Sequence, residues 1–238
     1  MRNNRIFALC YRLIAFALCL FGILYTTGAF SGEIRWTMFL YYTTESNILV
    51  LIMFGLLAIK TARDLKRNGA HGPTSYFERL SAVITLAITV TMLIFWGLLA
   101  PYIGGMMDLL AYSNLQLHTF TPLFMIFDHF FFAHPGRMKR QDPWLFALIP
   151  FTYFIQATIL GFSGVRYGIS GTGSSRFPYF FIDFDLLGAR VFLYVAAITV
   201  FFVGFAYLML WYDGKRASKR QLTDQEETER SYAFVHRR

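Results

Sequence analysis

Charged side chains are scarce in this sequence. Only 15% of its 238 residues are Asp, Glu, Lys or Arg, whereas about a quarter of a soluble globular domain is charged. This shortage excludes an ordinary water-soluble domain. Apolar side chains take the place of the missing charge, since 56% of the residues are hydrophobic and 27 are Phe. The composition therefore predicts an integral membrane protein.

Cysteine is rare, and the motifs of common cofactor sites are missing. The two cysteines, Cys10 and Cys19, would lie on opposite sides of one helix and cannot pair with each other. The chain has no phosphate-binding glycine loop, no His-Glu-x-x-His and no zinc-type cysteine pair. Residues 161–165 (GFSGV) end in valine and so fail the Gly-x-Ser-x-Gly pattern of the serine nucleophile elbow. We therefore predict neither a metal nor a cofactor.

Long apolar runs are what the sequence has in abundance. A helix crosses the hydrocarbon layer with about 20 apolar residues, and six runs satisfy this requirement: 13–30, 38–59, 80–100, 115–133, 144–162 and 191–211. The predicted fold is all-α, a polytopic bundle of six transmembrane helices. Residues 1–213 would form the transmembrane domain and residues 214–238 a charged cytoplasmic tail.

The basic residues predict the orientation of this bundle. All but four of the 22 Lys and Arg residues fall in the N-terminal arm, the second and fourth connections and the tail; the exceptions are Arg35, Arg166, Arg176 and Arg190. The positive-inside rule then places both termini in the cytoplasm, most simply at the plasma membrane. The net charge of +8 is explained by attraction to anionic lipid, so no nucleic-acid partner is invoked.

Two polar clusters interrupt the apolar runs. The first is 41–47 (YYTTESN), which contains Thr43, Thr44, Glu45 and Asn47. A lone Thr in a membrane helix usually bonds its own backbone or a neighbouring helix. Glu45 costs about 2.5 to 3.5 kcal/mol within a span, so it either faces the bundle interior or reaches the outer interface.

The second cluster is 114–122 (NLQLHTFTP), which contains His118. At 1.5 Å per residue, Thr43 and His118 each lie about 6 to 8 Å below the outer ends of their spans. A hydroxyl and an imidazole at one depth are the minimum for nucleophilic catalysis. Asn114, Glu45 or an acidic residue of the last outer loop could orient the imidazole. Asp128 lies roughly 15 Å deeper, and pairing with Arg137 or Lys139 is its alternative role.

Together these motifs resemble those of a known family. The segment 41–47, the pattern Asn114-x-x-x-His118-Thr119-x-x-Pro122, an acidic residue ten positions after His118 and the later segment 178–181 (PYFF) resemble the androgen-induced and androgen-dependent TFPI-regulating protein family. The resemblance is closer still to its bacterial six-helix relatives with the pattern YFT-x-x-SN. It implies a six-helix fold and, from the animal members, a threonine hydrolase of fatty acid esters of hydroxy fatty acids.

The resemblance also implies which residues act. The catalytic histidine corresponds to His118. Aligning on the aromatic pair makes Thr43 the nucleophile, whereas counting back from Asn47 makes it Thr44. Membrane lipid is the expected partner and a fatty acid ester the expected substrate.

The outer segment 161–190 is the longest connection and is both glycine-rich and aromatic. It is predicted to form a lid over the bundle, with Arg166, Arg176 and Tyr179 contacting substrate. The alternative is an aromatic belt at the membrane interface.

Two functions remain open from the sequence. The first is an intramembrane esterase that uses Thr43 or Thr44 with His118. The second is a non-enzymatic protein that binds or transports a small or lipid-like ligand along a polar column of Glu45, His118, Asp128 and His129.

Overall fold

Helices make up about 80% of the computed structural model, which describes residues 3–169 and 173–235. In chain order the α-helices are α1 (Arg5–Thr26), α2 (Tyr42–Asn68), α3 (Glu78–Ile94), α4 (Met106–Leu109), α5 (Tyr112–Leu115), α6 (Thr121–Phe132), α7 (Asp142–Phe162), α8 (Phe184–Leu187) and α9 (Val191–Val235). Two π-helical segments, Phe95–Leu99 and Gln116–Phe120, continue α3 and join α5 to α6. Short 3₁₀ turns cover Ala29–Ser31, Trp36–Leu40, Ala100–Tyr102, Phe180–Ile182 and Gly188–Arg190. Strands β1 (Tyr167–Ile169) and β2 (Gly173–Ser175) pair antiparallel.

The all-α prediction is confirmed, and the helices are compatible with a multi-pass membrane protein. Four helices among the described residues are long and apolar enough to cross a membrane: Arg5–Thr26, Glu78–Tyr102, Asp142–Phe162 and Phe184–Leu222. Each of the six predicted apolar runs falls on helical structure. Helix α9 continues without a break through the predicted boundary at residues 213 and 214.

Local sequence explains where the first two long helices begin and end. The Asn4 side chain caps α1 by accepting a 3.0 Å hydrogen bond from the backbone N–H of Phe7. Helix α2 carries Glu45 in its first turn and Lys66 and Arg67 in its last turn, which matches the helix dipole. It ends at Gly69, whose φ of 75° favours glycine.

Three apolar clusters hold the helices together. The first packs α1, α2 and α3 against the segment from α5 to α6, with Cys19, Phe54, Ile88 and Met125 at its centre. The second joins α3, α7 and α9. The third packs α7 and the start of α9 against Phe181 and Ile182 of the outer segment. The outer segment is therefore part of the packed fold.

A buried ion pair ties α1 to α6 at the end of the bundle opposite Thr43. Arg12 is 1% exposed and Asp128 is 2% exposed, and Arg12 Nε lies 2.8 Å from Asp128 Oδ1. Arg12 also donates to the Thr61 hydroxyl and to the Thr74 carbonyl. The predicted pairing of Asp128 with Arg137 or Lys139 is therefore replaced by a pair with Arg12, because α1 packs directly beside α6.

Candidate functional site

A cavity of about 90 Å³ lies between three of the four helices that are long and apolar enough to cross a membrane. These are α3, α7 and α9, and the start of α2 and the outer segment close one end of the cavity. Its walls are mainly apolar, and they consist of Tyr42, Thr43, Val90, Thr91, Ile94, Leu99, His118, Pro150, Phe151, Tyr153, Phe154, Tyr179, Phe181, Ile182, Val195, Ile198, Thr199 and Phe202. Three residues predicted from sequence, Thr43, His118 and Tyr179, thus line one chamber.

Two π-helical turns face each other at this cavity. Phe95 begins the first turn, and His118 lies in the middle of the second. Their rings stack at a centroid distance of 3.8 Å and an interplanar angle of 10°. Single π turns inside α-helices are rare and occur often at functional sites. The stack fixes the plane of the imidazole against α3.

His118 has one ring nitrogen that is free to act on a ligand. The side chain is buried, and its Nδ1 has no hydrogen-bond partner. The ring also interacts with the backbone of Thr91 on α3. Nδ1 is therefore a ring nitrogen without a partner, on a side chain that lines the cavity. A buried acceptor without a partner is costly unless a ligand satisfies it.

Thr43 lies in the first turn of α2 and is paired with Tyr179. The Thr43 and Tyr179 hydroxyl oxygens are 3.4 Å apart, and the Thr43 backbone N–H donates to the same phenol oxygen at 3.3 Å. The first N–H groups of a helix have no partner within it, so the phenol satisfies one of them. Among the described residues, no hydrogen bond joins Thr43 directly to His118.

Asn47 connects the two halves of the site from behind. Its side-chain amide donates to the carbonyl of Thr43 at 2.7 Å and to the carbonyl of Leu117 at 3.1 Å. The first carbonyl belongs to Thr43 itself, and the second belongs to the residue directly before His118. Asn47 is fully buried, so it positions the two segments relative to each other without lining the cavity.

The remaining residues of the first polar cluster point elsewhere. Thr44 is buried and does not line the cavity. Glu45 accepts a hydrogen bond from Gln156 on α7 and is half-buried. Glu45 therefore faces the bundle rather than the surrounding medium, but it links α2 to α7 instead of orienting His118.

Four other predicted site residues lie outside the cavity. Asn114 donates to the Asp108 carbonyl in the outer loop, and Asp128 is held by Arg12. Arg176 pairs with Asp185 and lies over the ring of Phe162, and Arg166 is exposed. Neither arginine reaches the chamber, because the outer segment contributes its aromatic side chains to the cavity and keeps its charges on the outside.

Sequence reasoning did not identify Phe95 or Thr91 as parts of the site. Phe95 is one of many aromatic residues in an apolar run, and the π turns that bring it onto His118 have no sequence pattern of their own. Thr91 accepts or donates a 2.9 Å hydrogen bond with Ser46, which ties α3 to α2 beside the cavity. A Thr in an apolar run usually bonds the backbone of its own helix, so the sequence does not mark Thr91 as a site residue.

No metal centre accompanies this arrangement within residues 3–169 and 173–235, where no group of three or more His, Cys, Asp or Glu side chains could hold an ion. Comparisons of the chain with protein-family models, curated proteins and solved structures find no match. The proposed chemistry therefore depends on the geometry of the cavity and on the motif residues themselves.

Proposed function

We propose that this protein is an intramembrane hydrolase of fatty acyl esters, with Thr43 as nucleophile and His118 as general base. The observation that carries the proposal is the shared cavity. It is lined by Thr43 and by His118, whose Nδ1 has no hydrogen-bond partner, and the rest of its wall is mainly apolar. An ester suits this cavity, since its carbonyl would lie between Thr43 and His118 and its acyl chain along the apolar wall.

The proposed reaction proceeds in two displacements. Thr43 Oγ1 forms a bond to the acyl carbon while its proton passes to His118 Nδ1. The bond from that carbon to the alcohol oxygen then breaks, and the alcohol leaves with the proton. Water then attacks the acyl-threonine while its proton passes to His118. The bond from the acyl carbon to Thr43 Oγ1 breaks, His118 returns the proton to Oγ1, and the fatty acid leaves. The start of α2 provides the positive end of a helix dipole, which favours the oxyanion that forms in each step.

The proposed topology has six membrane crossings, with both termini in the cytoplasm and the plasma membrane as its location. Besides the four apolar helices, α2 has 27 residues and is about 40 Å long. The helical segment from α5 through α6 carries His118 to the level of Thr43. The distribution of Lys and Arg supports the orientation.

The alternative of a polar column receives less support. Glu45 is bonded to Gln156, Asp128 to Arg12 and His129 to Ser81. Within the part of the chain that the structure describes, no hydrogen bond or ion pair joins any two of Glu45, His118, Asp128 and His129. A relay would need such contacts, so this arrangement favours the hydrolase.

The first test separates the two candidate nucleophiles. A fluorophosphonate probe should label the purified protein on Thr43, because loss of fluoride leaves phosphorus bonded to the activated oxygen. Thr43→Val should abolish labelling and hydrolysis of acyl esters, since it removes the hydroxyl at nearly constant volume. Thr43→Ser should retain both.

The matched control is the neighbouring residue. Thr44→Val makes the same change at a buried position outside the cavity and should still label. Labelling that survives in Thr43→Val but disappears in Thr44→Val would assign the nucleophile to Thr44. A wild-type protein that neither labels nor cleaves any ester in a panel of chain lengths would refute the proposal.

A second test concerns Tyr179, which we assign a positioning role. Tyr179→Phe removes only the hydroxyl that holds Thr43, so kcat should fall about fivefold, the equivalent of one neutral hydrogen bond at roughly 1 kcal/mol. KM should change little, because the ring stays in the wall. Tyr41→Phe is the control, since the Tyr41 hydroxyl bonds the Gly168 carbonyl and lies outside the cavity. Equal losses in both variants would contradict the assignment.

A further inference from the structure

The rim of the cavity identifies where it opens. Phe151 of α7 lines the cavity and is also 52% exposed, and Thr199 of α9 lines it and is exposed as well. A side chain that contacts both the interior and the outside marks an opening. Because these two residues belong to α7 and α9, the opening lies between those helices.

The opposite end of the cavity is covered. Phe181 and Ile182 of the outer segment are buried and line this end. Tyr179 closes the same end by bonding Thr43. The polar groups of the site are therefore screened on the side of the outer loops and are reached through the apolar wall.

The surface around the opening is suited to lipid. Leu148 and Ile155 on α7 and Val200 and Phe201 on α9 are exposed apolar side chains, on two helices long and apolar enough to cross a membrane. In a bilayer these side chains would face acyl chains. The opening would then face the hydrocarbon layer instead of water.

We infer that the gap between α7 and α9 is a lateral passage through which one acyl chain enters from the bilayer. This inference rests on the proposed hydrolase and names its substrate class as a membrane-dissolved, long-chain acyl ester. The volume of about 90 Å³ is small beside the roughly 300 to 1,000 Å³ of pockets that enclose a whole ligand. The chamber therefore holds the ester group and part of one chain, and the remainder of the lipid stays outside.

The test measures binding independently of hydrolysis. A long-chain methyl ketone with a photoactivatable diazirine in mid-chain has an ester-like carbonyl but no bond to hydrolyse. It is added to the full-length protein in phosphatidylcholine nanodiscs, and crosslinked peptides are identified by mass spectrometry. Crosslinks are expected on α7 and α9 near Phe151 and Thr199.

Two tryptophan variants make the test specific. Thr199→Trp places bulk in the rim and should lower crosslinking about tenfold, as expected for a blocked apolar pocket. Val200→Trp is the matched control, because Val200 is 73% exposed on the same helix but does not line the cavity. It should crosslink as wild type. In hydrolysis assays, Thr199→Trp should reduce kcat/KM for a long-chain ester far more than for an acetate ester.

The outcomes separate this inference from the hydrolase proposal. The expected crosslinks in a protein that cleaves no ester would support the passage and refute the hydrolase. Hydrolysis of long-chain esters combined with equal crosslinking in wild type, Thr199→Trp and Val200→Trp would overturn the passage alone. Crosslinks confined to the segment 179–182 would also overturn it, because they would place the route on the side of the outer loops.

Discussion

Replacing His118 with alanine is expected to lower kcat/KM for ester hydrolysis by about 10²- to 10⁴-fold, the usual contribution of a general base. The imidazole has an unpartnered nitrogen, and among the residues that the structure describes no other His lines this cavity. Without it, no imidazole remains at the cavity to accept the proton of Thr43. The rate constants should be measured in detergent and in nanodiscs on protein whose melting curve shows that it is folded.

A second histidine provides the control for this experiment. His129 belongs to the helix that follows His118, is also buried and bonds Ser81 at 3.2 Å, but does not line the cavity. His129→Gln should therefore keep activity close to wild type. His118→Ala also loses the stack on Phe95, which costs about 0.5 to 1.5 kcal/mol of stability. A loss of activity that only parallels a loss of folded protein would contradict the catalytic role.

The constant rise per residue of a helix is enough to predict that Thr43 and His118 lie at a similar depth in the bundle. Both follow the outer ends of their helical segments by a few residues, and the rise per residue is nearly constant in helices. Depth along the axis can therefore be calculated from sequence, and both side chains do line one cavity. The same calculation places Asp128 about 15 Å below His118, and in the structure Asp128 bonds Arg12.

Depth along a helix axis does not show which side chains of different helices contact each other. A π turn inserts one extra residue and rotates everything beyond it by about 100° relative to an uninterrupted α-helix. The stack of His118 on Phe95 depends on two such turns. Tyr179 reaches Thr43 across 136 positions of sequence, and only the packing of the outer segment brings them together. Which of Thr43 and Thr44 lines the cavity likewise depends on the rotation of α2, which two adjacent threonines in a sequence do not specify.

The pair of Arg12 and Asp128 shows a different limit of sequence reasoning. The charge pattern places Arg12 in the basic N-terminal arm with Arg2 and Arg5. In the structure its guanidinium is buried between α1 and α6, where it donates to Asp128, Thr61 and the Thr74 carbonyl. A count of charges by segment gives orientation, but it does not distinguish a solvated arginine from one that is inside the bundle.

Removing one member of this pair is expected to have the largest effect on stability. Asp128→Leu leaves the Arg12 guanidinium buried without its counter-charge, which typically costs 3 to 5 kcal/mol. Arg12→Met leaves the carboxylate in the same position and should be similarly damaging. We expect both single variants to melt well below wild type in a thermal-stability assay in detergent, and to yield less folded protein.

The double variant distinguishes an uncompensated charge from lost packing. Arg12→Met combined with Asp128→Leu removes both charges and keeps apolar volume beside Phe132, whose ring lies 5.0 Å from the Arg12 guanidinium carbon. Its melting temperature should recover much of the loss, because a buried ion pair replaced by apolar side chains is often neutral. If the double variant loses as much melting temperature as the two single variants together, the pair does not act as a unit. Neither residue lines the cavity, so a stable double variant should retain activity. Thermal melting and hydrolysis measured together would show whether the pair supports only the fold.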